Sequence, residues 1–178
     1  MLCGLLYCVA QLPTTLSKAA SPQPLKRVRL DLPSLYSHSP ISFIGILLIG
    51  IANGAYGTLG AVFGARAGLE QTSIAAMVSI TIFAGAIMQF PAGRLSDRMD
   101  RRHVLAGLSA AAALAALILL VVQPTNVTAI IILVAIYGAM ANALYPIAVA
   151  HANDFAAPED FVKVSGGLLL LFGIGTII

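Results

Sequence analysis

The stretch Pro91-Ala92-Gly93-Arg94-Leu95-Ser96-Asp97-Arg98-Met99-Asp100-Arg101-Arg102 places six charged residues within twelve, and the chain on either side carries almost none. Twenty-three uncharged residues separate Glu70 from Arg94, 51 separate Arg102 from Asp154, and a third gap of 34 lies between Asp31 and Arg66. A helix needs about 20 apolar residues to cross a bilayer, and soluble cores do not require uncharged runs of such length. The whole chain follows suit: 178 residues, 59% hydrophobic, 10% charged, mean hydropathy +0.94. Soluble domains carry about 25% charged residues. A soluble enzyme, a disordered chain and a disulfide scaffold are excluded. An all-α integral membrane protein is predicted.

Outward from that charged stretch, the gaps divide into spans at about 41–63, 73–91, 104–122 and 127–150, with a last apolar run at 164–178. Pro91 is expected to end the second span. Gln123-Pro124-Thr125-Asn126 reads as a tight turn, because proline cannot continue a helix and asparagine tolerates turn conformations. Residues 13–40 hold five of the nine prolines and read as a Pro/Ser-rich basic linker. Within it, Leu25-Lys26-Arg27-Val28-Arg29 suits either a solvated linker or the surface of an anionic membrane. Residues 1–12 are apolar but too short to span, and lack the basic start of a signal peptide. They read as the end of a preceding transmembrane helix. Both ends look cut in mid-helix, so the expectation is four full spans with partial helices at each end.

Charge placement sets the orientation. With four crossings, the linker, the 92–103 loop and the 151–163 loop share one side, which holds nine of the ten basic residues; the other side has only Arg66. That asymmetry predicts the three segments to be cytoplasmic. The net charge of +3 and pI near 9.1 reflect these topology signals rather than a nucleic-acid surface. Cys3 and Cys8 match no common metal spacing and read as buried thiols.

Within the charged stretch, Gly93 at a helix end would let a neighbouring backbone come close. Asp97 can accept charge-assisted hydrogen bonds from Arg98, Arg101 or helix-start amides. Arg101 and Arg102 would open the third span at its positive dipole end. Either topology or pairing with Asp97 and Asp100 must outweigh that cost, and the plain alternative is that these arginines are only membrane-side anchors.

Gly93-x-Leu95-x-Asp97-Arg98-x-x-Arg101-Arg102 resembles the cytoplasmic loop signature of the major facilitator superfamily. That signature occurs between the second and third helices, and again between the eighth and ninth. The family usually has glycine where this chain has Asp100; aspartate tolerates a left-handed turn, which would keep the loop. A basic proline-rich linker preceding only one span before the signature looks like the central linker of a twelve-helix transporter. The resemblance thus implies the larger part of the C-terminal half, and the chain is most similar to the bacterial YcaD-like branch. It implies a multi-pass protein of the inner (plasma) membrane that moves a small solute by rocking two halves about a midplane site. The bilayer and a missing N-terminal half are the implied partners, and the fragment alone is expected to be inactive. A gating role for Gly93, Asp97, Arg98, Arg101 and Arg102 follows from the same resemblance.

The resemblance also implies that the spans at 41–63 and 127–150 line a cavity. Asn53 and Tyr56 share a face of the first; Gly138, Asn142 and Tyr145 form an i, i+4, i+7 stripe on the second. Polar groups at membrane depth either line a cavity or bond a neighbouring helix, and both readings stand for Asn53 and Asn142. Packing is the simpler reading for Tyr56 and Tyr145. Gly50-x-x-x-Gly54 and Gly60-x-x-x-Gly64 suit close helix contact. No acidic residue lies in a span, so no carboxylate for proton coupling is evident. His151 and Asp154 alone do not make a metal site, and no hydrolase or metalloprotease pattern occurs. No enzyme activity, cofactor or metal is expected. A second reading is a small multispanning protein acting by association with other membrane proteins, which the glycine- and alanine-rich faces would serve.

Overall fold

The computed structural model describes residues 36, 39–157 and 160–178. The expected helix end at 1–12 and the linker through residue 35 lie outside the described residues. Five helices follow one another: α1 Pro40–Arg66, α2 Gln71–Arg98, α3 Arg101–Val122, α4 Val127–Asn153 and α5 Phe161–Ile177. The first four, of 27, 28, 22 and 27 residues, are long and apolar enough to cross a membrane. At 1.5 Å per residue they extend roughly 33–42 Å, more than the ~30 Å hydrocarbon core. α5, with 17 residues, is shorter.

Local chemistry explains each boundary. Pro40 opens α1, where its missing N–H is no loss. α1 ends in a Schellman turn: Leu69 N–H donates to Gly64 O (3.0 Å) and Gly68 N–H to Ala65 O (3.1 Å). Gly68 sits at φ 79°, a conformation that costs a residue without Cβ nothing. Asn126 caps α4, its Oδ1 accepting from Thr128 N (2.8 Å) and Ala129 N (3.4 Å).

One boundary differs from the sequence expectation. Pro91 does not end the second span; α2 runs on to Arg98 with Pro91 inside it. Proline removes one backbone donor, but every residue from Ala92 onward keeps its own. Burial of Ala92 and Ser96 on the same face gives the extra turns something to pack against. The connection to α3 is therefore just Met99 and Asp100, and most of the expected 92–103 loop is helical.

Successive helices run antiparallel, so the Arg101 end of the bundle also gathers the start of α1, the end of α2, the end of α4 and the start of α5. α4 is the central helix, packed on α2 and α3 and more lightly on α1, while α5 packs chiefly on α1. The main buried cluster draws on all five helices and includes Ile46, Ala92, Val104, Ala148 and Leu168. A smaller one, Leu69, Met77, Ile130 and Val134, lies toward the opposite end. Two crossings bring backbones together. A Cβ at Gly50 would stand 2.5 Å from Phe172 O, and one at Gly175 would stand 2.5 Å from Leu47 O, so α1 and α5 touch through glycine. Where α2 crosses α4, Thr81 fills the space beside Gly138, and Asn142 fills the space beside Gly85. Phe83, Ile87 and Val121 are about 70% exposed on the outer surface, as lipid-facing side chains are.

Candidate functional site

Two features stand out, one at each end of the bundle. At the first, Arg101 in the opening turn of α3 ties three elements together. Its Nε donates to Asp154 Oδ2 at 2.7 Å, just past α4. Its Nη1 donates to Ser96 Oγ at 3.0 Å and lies 3.5 Å from Asp97 Oδ1, both on the last turns of α2. Arginine suits this position because its planar fork offers several donors in fixed directions. The Arg101 side chain is largely enclosed, whereas Asp154 is about half exposed and Asp97 more so. Around this network Ser96, Asp100, Arg102, His151 and Phe155 line a polar recess of about 570 Å³. His151, buried, packs edge-on against Phe155 with ring centroids 5.1 Å apart.

Asp100 takes a different role from the one expected of it. Its φ of −59° is not left-handed; it is the N-cap of α3, its Oδ1 accepting from Arg102 N at 2.9 Å. A short acceptor at a helix start satisfies donors that would otherwise point at nothing. That acceptor, and the carboxylates of Asp97 and Asp154, offset the unfavourable placement of two arginines at the positive end of the helix dipole.

The other residues of the charged stretch are dispersed. Arg98 is exposed and forms no hydrogen bond or ion pair among the described residues. Arg102 reaches over the Phe155 ring, 6.0 Å from its centroid, and Arg94 over Phe90 at 4.2 Å. Gly93 makes no close approach: among the described residues nothing lies within 4 Å of the place a Cβ would occupy. Asp154 was not among the sequence candidates. The signal for it was available: with α3 and α4 joined by a four-residue turn, their far ends must meet, and each carries a charge of opposite sign.

The second feature is a cavity of about 790 Å³ between α1, α3 and α4, at the end opposite Arg101. Ala52, Leu59 and Phe63 form one wall, Leu120 and Val134 the other, with Tyr56 and Tyr137 toward the bilayer middle and Arg66, Gln123 and Thr125 at the mouth. The two tyrosine rings lie 5.8 Å apart. Tyr56 is the one of the four cavity candidates that lines this space. Asn53 Nδ2 donates to Ile49 O (2.9 Å) and Asn142 Nδ2 to Gly138 O (2.8 Å), each within its own helix. Asn142 packs on Gly85 of α2, and Tyr145 packs on Phe172 of α5 with centroids 4.8 Å apart. Asn142 and Tyr145 thus serve contacts between helices, and Asn53 bonds within α1. Tyr137 and Gln123, which the sequence reading passed over as lining residues, take their place; nothing in the local pattern marks them, since the cavity arises from how α1 stands relative to α3.

Apolar helices of membrane-crossing length, lipid-facing outer surfaces and a polar network at one end define a multi-pass membrane protein. The chain belongs to the Major Facilitator Superfamily, whose family model matches residues 5–178. Relatives include the "Uncharacterized MFS-type transporter YcaD" of Salmonella arizonae and its namesake in Salmonella paratyphi B. Each is 28% identical over 134 residues, covering 75% of this chain and 34% of the relative. The chain thus spans about a third of the curated relatives it matches. No solved structure matches it. The resemblance read from the loop signature is borne out at the level of the family.

Proposed function

We propose that this chain supplies the larger part of the C-terminal half of a transporter that moves a small solute across the bacterial inner membrane by alternating access. The Arg101 end faces the cytoplasm in this reading, in line with nine of ten basic residues lying on that side. The observation that carries the proposal is the single guanidinium bridging the ends of α2, α3 and α4. To open that end, α4 must leave the α2–α3 turn, and the 2.7 Å bond to Asp154 must break.

The size of the latch matters. A partly exposed ion pair contributes about 0.5–1 kcal/mol, because water replaces much of what is lost. That shifts a two-state equilibrium about two- to fivefold, enough to favour one state without locking it. A deeply buried network of several kcal/mol would hold the end shut.

The test uses the full-length transporter in proteoliposomes with a single cysteine at Ala148, which is buried on α4 in the turns before Asp154. Arg101→Ala should speed maleimide labelling from the cytoplasmic side about two- to fivefold. Unchanged labelling would remove the latch. The 178-residue chain alone should show no saturable uptake of any solute that the full transporter moves, and uptake by it would refute the half-transporter reading.

A further inference from the structure

His151 stands in the last turn of α4, three residues before Asp154, and is only 4% exposed. α4 has 27 residues where about 20 cross the hydrocarbon, so this turn lies past the apolar run at 127–150. The ring packs on Phe155 and, among the described residues, forms no hydrogen bond. The latch therefore encloses an imidazole that it does not use. Charged groups line the recess with it: Asp97 on α2, Asp100 in the turn, Arg101 and Arg102 on α3, and Asp154 just past α4. Elsewhere at this end His103 is exposed on α3, Tyr36 rests on Phe43, and Asp160 pairs with Lys163 at the start of α5. Enclosure disfavours a charge on the ring and is the largest influence; Arg102 adds to it, Asp154 and Asp100 oppose it, and Arg101 adds least. The balance holds the imidazole below the ordinary histidine range.

We propose that His151 is the residue through which cytoplasmic pH acts on this end, neutral while α4 is seated against the α2–α3 turn and protonated once α4 leaves it. The inference rests on the latch reading above, in which opening parts α4 from that turn. Opening carries the ring away from Arg102 and lets water reach it, so the open state holds a proton more tightly than the closed one. The state that binds protons more tightly gains as the pH falls. The closed end thus keeps its full advantage well above the ordinary histidine pKa of about 6.5, and loses it as the pH falls through that value.

Maleimide labelling of the single cysteine at Ala148 reads this out, in the full-length transporter in proteoliposomes with the same pH on both sides. Rates are measured from about pH 8 to about pH 5.5 for the parent, His151→Gln and His151→Phe. Dividing the parent's rate by a variant's at each pH cancels the titration of the thiol itself. The ratio should be constant above about pH 7.5 and rise about two- to tenfold by about pH 5.5, where an imidazole of ordinary pKa is about nine-tenths protonated. One variant is polar and the other keeps an aromatic ring against Phe155, so the comparison survives the misfolding of either. A ratio that stays flat or falls as the pH is lowered would overturn the proposal. Arg101→Ala, labelled at about pH 7.5, separates this result from the latch. Faster labelling there beside a flat ratio removes the role of His151 and keeps the latch. Unchanged labelling there beside a rising ratio removes the latch and leaves His151 governing the end.

Discussion

The two ends of this bundle are built from the same helices and held in different ways. At the Arg101 end, residues from all five helices meet in one buried cluster, and a guanidinium, two carboxylates and a serine close the surface above it. At the Arg66 end the cluster is smaller, and α1 stands away from α3 over a space of about 790 Å³. The cause lies in α5, which packs against α1 through glycine at Gly50 and Gly175. That contact fixes where α1 runs, and α3, which packs on α4, does not follow it.

The largest effect is expected from breaking the contact that sets the difference. Gly50→Leu would drive a side chain into the Phe172 carbonyl, 2.5 Å from its Cβ, and backbone cannot move aside as a flexible side chain can. A loss of about 3 kcal/mol is expected, with α1 displaced from α5. Unfolding in a graded SDS titration measures it, and a midpoint equal to the parent would mean that α1 and α5 do not cross at glycine.

The helix caps should not distinguish the ends. Asp100→Ala removes the cap of α3 at the closed end, and Asn126→Ala removes the cap of α4 at the open end. Each should cost about 1 kcal/mol in the same titration. If Asp100→Ala proves several times worse than Asn126→Ala, its carboxylate contributes to the charge network beyond its capping bond.

Charge, in contrast, should matter at one end only. A double-mutant cycle between Arg101→Ala and Asp154→Ala should give a coupling of about 0.5–1 kcal/mol that shrinks in concentrated salt. Arg101→Lys should restore less than half, since an ammonium lacks the fork that reaches Ser96 and Asp154 together. No measurable coupling would reduce the arginine to a membrane-side anchor. The smallest effect belongs to the rim of the open end. Leu120→Ala, at a residue 70% exposed, should change stability by less than about 0.5 kcal/mol. A large loss there would show that the cavity wall is buried in the assembled protein.

Much of this was legible from residues alone. The spans and the turn at 123–126 follow from gaps in charge and from breaker residues. The pairing of Asp97 with Arg101 was visible as one of several that the charged stretch offered that carboxylate. Three readings needed correction. Pro91 suggested a helix end, but the burial of Ala92 and Ser96 beyond it decided otherwise. Gly93 suggested close approach, yet its neighbourhood is open. Asp100 suggested a left-handed turn, and instead caps α3 at a φ of −59°. In each case the residue type states what a position permits, and its surroundings in the fold determine whether that permission is used.

Sequence by itself determined that this chain is a bundle of membrane-crossing helices and which of its turns carry charge. Those properties come from transfer free energy and from local backbone chemistry, and both are summed along the chain. Only the tertiary structure decided that Arg101 reaches Asp154 across 53 positions, that α1 and α5 meet at glycine, and that a space opens between α1, α3 and α4. Helices that are apolar on every side have no stripe to announce their neighbours. Their arrangement is set by the shape of the contacts, small residue against large, and shape is a property of pairs.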